Sequence, residues 1–208
     1  LGASTLPRLA AFAGIASMGT AFLAISAFTP QTTAAALYYI LHSTLATAAL
    51  FLVADLVTRR RAHPQLTEAP AIAQSGLISA LFMAAAVALA GMPPLSGFIG
   101  KLLILDAFRA QAPLIWSVIL VSSFLMILGF SRAGSLVFWK PAPHTPTTDT
   151  PTPAPTEPLA IAATLALLAT LAALTLLAGP ITDWLAATAQ TLHAPEAYID
   201  ANRLGEGQ

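Results

Sequence analysis

The 208-residue chain contains no cysteine, which excludes disulfides, thiolate metal sites and a cysteine nucleophile. Charge is almost as scarce. Only 9% of the residues are Asp, Glu, Lys or Arg, against about 25% in an average soluble domain. Nine basic and nine acidic residues cancel, so no basic field invites nucleic acid. Nucleotide loops, nucleophile triads and metal-ligand spacings are also missing, which leaves no sign of a conventional enzyme, a cofactor or a bound metal. Lysine occurs only at 101 and 140. No charged n-region with a cleavage site precedes the first apolar run, so that run does not read as a signal peptide. A chain opening on Leu1 reads as the C-terminal piece of something longer.

What is present is apolar. Hydrophobic residues make up 57% of the chain, and several runs approach the roughly 20 residues that a membrane helix needs. The expected fold is an all-α integral membrane bundle of about six transmembrane helices. Residues 1–140 form its main part, with spans near 9–28, 34–57, 77–90, 97–112 and 113–138. Trp139 and Lys140 close the fifth span as interface anchors. Residues 141–158 hold seven prolines among threonines and read as an extended linker loop. Residues 159–178, free of charge, read as a peripheral, lipid-facing span. In 179–208, Ile181, Trp184, Leu185, Thr188 and Leu192 share one face of a short interfacial helix, and a polar tail follows. Counting six spans puts Arg8, Arg59–Arg61, Arg109 and the tail on one, cytoplasmic, side.

The organising stretch is Gly91-Met92-Pro93-Pro94-Leu95-Ser96-Gly97, which enters the segment bearing Lys101. Tandem prolines remove donors and block a straight helix, while Gly91 and Gly97 permit unusual dihedrals or close approach. Irregular backbone at membrane depth is tolerated only where protein or a watery cavity covers it. A lysine at mid-bilayer costs about 2.5–3.5 kcal/mol on insertion scales. Burial disfavours the charged form of an amine, which is what lets a buried lysine pass a proton on. Equally, a lysine so near a helix end can snorkel to the headgroups. His42, inside the second span, is either a relay group or a structural histidine bonded to a backbone carbonyl. Ser43, Thr44 and Thr47 lie nearby and can hold water, although Thr47 sits well around the helix from His42. Asp106 and Arg109 are spaced to meet as an ion pair on one helix face, and Asp55 is spaced to meet Arg59.

The stretch from Leu89 to Lys101 closely resembles the broken-helix motif of antiporter-like membrane subunits. These include the D and A subunits of Mrp-type (Pha-type) multisubunit cation/proton antiporters and the proton-pumping subunits of respiratory complex I. Arg8 to Gly19 is similar to the helix opening that family's second inverted repeat, and His42 to Phe51 to its histidine-bearing helix. Pro195 to Ala201 resembles the tail of Mrp D subunits, which favours them. The resemblance implies the second inverted repeat of the antiporter-like fold. It also implies a proton path through Lys101 and His42. Beside that path, Ser43, Thr44, Thr47, Ser96, Asp106 and Arg109 are read from their positions as supporting or water-holding candidates. The implied setting is the inner cell membrane, with other antiporter subunits and the lipid bilayer as partners and protons and Na⁺ or K⁺ as cargo. The alternative it leaves is a proton-translocating subunit of complex I or a related dehydrogenase or hydrogenase. Two departures stand out: Thr47 and Pro7 occupy positions where relatives often carry lysine.

Overall fold

Threonine and proline punctuate the first helix starts. Thr5 caps α1 (Leu6–Ser26), its side chain accepting from the Arg8 N–H at 3.3 Å, with Pro7 in the first turn. Thr29 and Thr32 cap each other's backbone at the start of α2 (Pro30–Arg61), again with proline in the first turn. Both devices satisfy donors that a helix start leaves open. The computed structural model describes residues 2–68, 70, 72, 74–140, 157–196 and 199. In them follow α3 (Ser75–Ala90), α4 (Ser96–Ala107), α5 (Ala112–Gly134, prolonged by a π-helical turn at Ser135–Trp139), α6 (Pro158–Leu176) and α7 (Ala178–His193). Most of the linker expected at 141–158, and most of the tail expected to follow α7, lie outside the described residues.

Helix α2 is the axis of the bundle: α1, α3, α4, α6 and α7 all pack on it. Its sequence explains this. Tyr38, Tyr39, His42, Ala46, Ala49, Leu50 and Val53 are all buried, on several sides of the helix, and a helix apolar all round belongs in a core. Its alanines let neighbours come close. The helix starts earlier than the apolar run suggests and carries Arg59, Arg60 and Arg61 in its last turn, where the C-terminal dipole favours cations. Arg59 pairs with Asp55 at 2.7 Å and with Glu157 at 3.3 Å. Arg61 folds back to donate to the Gln65 and Thr67 carbonyls. The same connection pairs with the lead-in to α1 through Leu6 N–H to Pro64 O and Leu66 N–H to Ser4 O.

Among the described residues four helices are long and apolar enough to cross a membrane: α1, α2, α5 with its π-helical turn, and α6. The expected third and fourth spans are shorter, 16 residues in α3 and 12 in α4. Their course corrects the count of spans. Helix α3 starts beside the arginine end of α2, where Arg60 donates to Gln74. Helix α4 ends at the opposite end, where Asp106 lines a cavity of about 420 Å³ with Pro30 and Gln31. The two short helices therefore run from one end of α2 to the other, and the break between them is not a hairpin. Arg109 accordingly lies at the far end from Arg59–Arg61, which overturns the expectation of one shared side. The reason is geometric: prolines stop a helix but do not say in which direction the chain resumes.

Helix α5 returns to the arginine end, where Arg132 donates to the Ala3 carbonyl at 3.4 Å. Its inner side stacks on α3 through Phe82, whose ring meets Phe130 edge-on and also contacts Phe138. Its outer side shows Leu114, Val118, Val121 and Phe124. Helix α6 buries Thr164, Leu171 and Leu174 and leaves Leu159, Leu165 and Leu176 outside. Helix α7 lies across the Pro30 end of the bundle: Thr182, Asp183, Ala186 and Gln190 line the cavity there, and His193 bonds Thr33 at 2.9 Å. Leu185 and Ala189 face inward while Trp184 and Leu192 are exposed.

Candidate functional site

Helix α3 ends in a Schellman turn. Gly91, at φ +74, donates its N–H to Ala88 O, and the Met92 N–H reaches back to Val87 O. These two bonds satisfy inner carbonyls and leave the Ala90 carbonyl at the negative end of the helix dipole. Two prolines joined by a cis peptide follow, and α4 restarts at Ser96.

The Lys101 side chain fills the space this break opens. Its Nζ donates to the Ala90 carbonyl and to Ser123 Oγ on α5, both at 2.7 Å. The residue is 6% exposed, so the amine turns inward and does not snorkel. The stem lies on the bare face of Gly91: a Cβ there would sit 2.7–2.9 Å from Cδ, Cε and Nζ of Lys101. Among the described residues Lys101 makes no ion pair. Its positive charge is met by peptide and hydroxyl dipoles alone.

His42 occupies the other side of the break and is fully buried. Its Nδ1 shares a 2.9 Å hydrogen bond with Ser96 Oγ at the start of α4. Its Nε2 makes no well-formed hydrogen bond, although the Ala88 carbonyl lies close by. The ring edge rests on Gly97, where a Cβ would stand 2.7 Å from Nε2 and would overlap the Ala88 oxygen. Lys101 is near enough for the two charges to interact. Each titratable side chain thus lies against one glycine of the motif.

The remaining expected residues are spread more widely. Ser43 Oγ is 2.7 Å from Ser17 Oγ, which also donates to the Tyr39 hydroxyl at 3.0 Å. The Tyr39 ring packs 5.9 Å from the His42 ring and against Gly100 of α4. Ser17→Ala would leave Ser43 and Tyr39 short of a buried partner. Its expected cost is about 1–3 kcal/mol, read as a lower unfolding midpoint in detergent; an unchanged midpoint would count against this network as a structural tie. Thr44 bonds its own helix at the Ile40 carbonyl. Thr47 sits away from His42, in a groove between α1 and α2, its buried hydroxyl without a partner and its methyl facing Gly14. Asp106 and Arg109 pair at 2.6 Å on the exposed rim. Structure alone adds Ser123, Ser17 and the Ala90 carbonyl. Of these, only the run Ser122-Ser123 within an apolar helix was a visible signal in the sequence.

This arrangement has relatives. A family model described as the NADH:quinone oxidoreductase/Mrp antiporter transmembrane region matches residues 1–128. The chain is 30% identical over 204 residues to the D subunit of the Na(+)/H(+) antiporter of Bacillus subtilis (strain 168), covering 95% of this chain and 40% of that protein. It is 28% identical over 241 residues to the D subunit of a probable K(+)/H(+) antiporter of Rhizobium meliloti (strain 1021), covering 99% and 43%. NADH-quinone oxidoreductase subunit N 1 of Opitutus terrae (strain DSM 11246 / JCM 15787 / PB90-1) is 32% identical over 192 residues, covering 86% and 37%. Among solved structures, the Mrp complex from Dietzia sp. DQ12-45-1b superposes with a TM-score of 0.79 at 25% identity, covering 96% of this chain and 45% of that one. The chain therefore spans less than half the length of each of these relatives.

Proposed function

The chain belongs to the NADH:quinone oxidoreductase/Mrp antiporter transmembrane family, and on that premise we propose that it forms part of the proton path of a multisubunit Na⁺/H⁺ or K⁺/H⁺ antiporter. The observation that supports this most is the Lys101 amine, buried at a broken helix and held only by the Ala90 carbonyl and Ser123. On this reading α3 and α4 together make one interrupted passage through the membrane, within the second of two inverted repeats. The protein sits in the inner cell membrane, works as a transporter subunit and not as a catalyst, and needs neighbouring subunits for cation exchange.

The mechanism follows from charge. His42 and Lys101 both become cationic on protonation, and among the described residues neither pairs with a carboxylate. Two positive charges in one buried site repel strongly. The pair accordingly holds one proton at a time and passes it across the break. Ser96 fixes one imidazole nitrogen and leaves the other free to exchange. A cation moving elsewhere in the complex then needs only to change which of the two groups the proton prefers.

A proton pump driven by quinone chemistry is the second reading, favoured by the similarity to the NADH-quinone oxidoreductase protein. The two antiporter relatives align along more of this chain, 95% and 99% against 86%, which favours the antiporter. Everted vesicles holding the full-length complex separate the two. Added Na⁺ or K⁺ should dissipate an imposed pH gradient without any electron donor; flux that appears only during quinone reduction would sink the antiporter reading. In the same vesicles His42→Ala should reduce flux severalfold without abolishing it, and should shift its pH profile. The vacated ring space beside Ser96 Oγ is polar enough for water to bridge. Full flux with an unchanged profile would remove His42 from the path.

A further inference from the structure

Ser123 reaches Lys101 from α5, and its hydrogen bonds are polarised in one direction. A serine hydroxyl has one proton. At Ser123 that proton is given to the Ile119 carbonyl one turn back, at 2.8 Å. Toward Lys101 the oxygen can therefore only accept, at 2.7 Å. The Ala90 carbonyl can likewise only accept. Two acceptors match the two N–H groups of a neutral amine and leave its lone pair unblocked, ready for a proton. Were Ser123 free to donate, its hydrogen could cap that lone pair and compete with the incoming proton.

We infer that Ser123 is a positioning residue that holds the Lys101 amine in this accepting pose and sets the pH range over which it exchanges protons. This rests on the proposed proton path. The groups facing Lys101 are few. From α2 they are His42, close enough to interact, with Tyr38 and Tyr39 packed on neighbouring Gly100; α3 and α6 carry no titratable residue. Helix α5 contributes only Arg132, which reaches the Ala3 carbonyl, and on α4 itself Asp106 is engaged by Arg109. Among the described residues no carboxylate pairs with Lys101 to mask the loss of one hydroxyl acceptor. The setting is also conditional: it holds only while α5 is seated against the break.

Hydrogen bonds to a charged group are stronger than those to the neutral one, so removing this acceptor weakens the protonated amine more. In everted vesicles of the full-length complex, Ser123→Ala should move the pH profile of cation-coupled proton flux to lower pH by about one unit. Ser123→Cys, a similar shape with a poorer acceptor, should move it less in the same direction. Ser123→Thr keeps the hydroxyl and its bond to Ile119, and should overlay the wild type. An unshifted or alkaline-shifted profile overturns the inference, and so does flux lost at every pH from a variant present at normal abundance. If Ser123→Ala does not accumulate, Ser123→Cys decides by the same criteria, and a shifted Ser123→Thr profile overturns the inference in either case. Wild type and Lys101→Ala run alongside. Absent flux in the first, or full flux in the second, would defeat the proton path itself and not the role of Ser123.

Discussion

Changing Lys101 to Ala is expected to abolish cation-coupled proton flux while the protein still reaches the membrane at its normal level. Loss of flux follows on the proposed path because His42, left alone at the break, has no second group to pass its proton to. Retention follows from opposing costs of similar size. A buried lysine costs about 2.5–3.5 kcal/mol on insertion scales, and Ala relieves that while favouring helix. Against this, the Ala90 carbonyl loses its buried partner, at about 1–3 kcal/mol. Ser123 loses less, since its own proton stays on Ile119. Lys101→Arg should fail as well. It keeps the charge but cannot release a proton, and its stiffer, larger head must pass the Gly91 face on which the lysine stem now lies. Flux measured beside membrane abundance decides the matter. An active Lys101→Arg protein would end the relay assignment.

The second large effect is steric. Gly97→Ala should sharply lower the amount of folded protein, because the new methyl overlaps the Ala88 carbonyl oxygen and presses on the His42 ring. A flexible side-chain end could yield; a helix backbone cannot without undoing the Schellman turn at Gly91. Overpacking of this sort costs about 1–3 kcal/mol, and more where backbone is hit. Gly19→Ala is the matched comparison, since nothing lies within 4 Å of a Cβ placed there. It should be neutral or stabilise by up to about 1 kcal/mol through helix propensity. Equal unfolding midpoints for the two variants in detergent would show that the α4 start does not pack as described.

The contrast between these glycines shows what the sequence could and could not disclose. Pro93-Pro94 announces a break by elementary backbone chemistry. A lysine and a histidine inside apolar runs draw attention by what their burial costs. The course of the chain beyond the prolines is set by long-range packing of α4 on α2, which has no local signature. A hairpin and a through-passage read alike in sequence, and so the span count and the side of Arg109 went astray together. Ser123 is visible as one of a serine pair in an apolar helix, but its role is not. Its partner is 22 residues away, and a mid-helix serine bonding its own helix is common enough to hide it. The hydroxyl of Ser17 ties Tyr39 to Ser43, partners 22 and 26 residues away that leave no local mark. The start of α2 was legible in hindsight: Thr29 and Thr32 make a reciprocal cap with threonine where glutamate is more usual.

The Ala90 carbonyl, left over by the turn at Gly91, has an electrical consequence. A peptide carbonyl and a serine hydroxyl hold the amine, and among the described residues no anion pairs with it, so on the proposed path each arriving proton adds a full elementary charge to the interior of the bundle. That charge lies within the field of an energised membrane. A charge crossing the entire potential gains or loses about 2.3 kcal/mol per 100 mV, and a proton reaching Lys101 experiences the fraction of that drop set by its depth. On the proposed proton path, voltage and pH would therefore act on the same amine, and a change in membrane potential alone would refill or empty it.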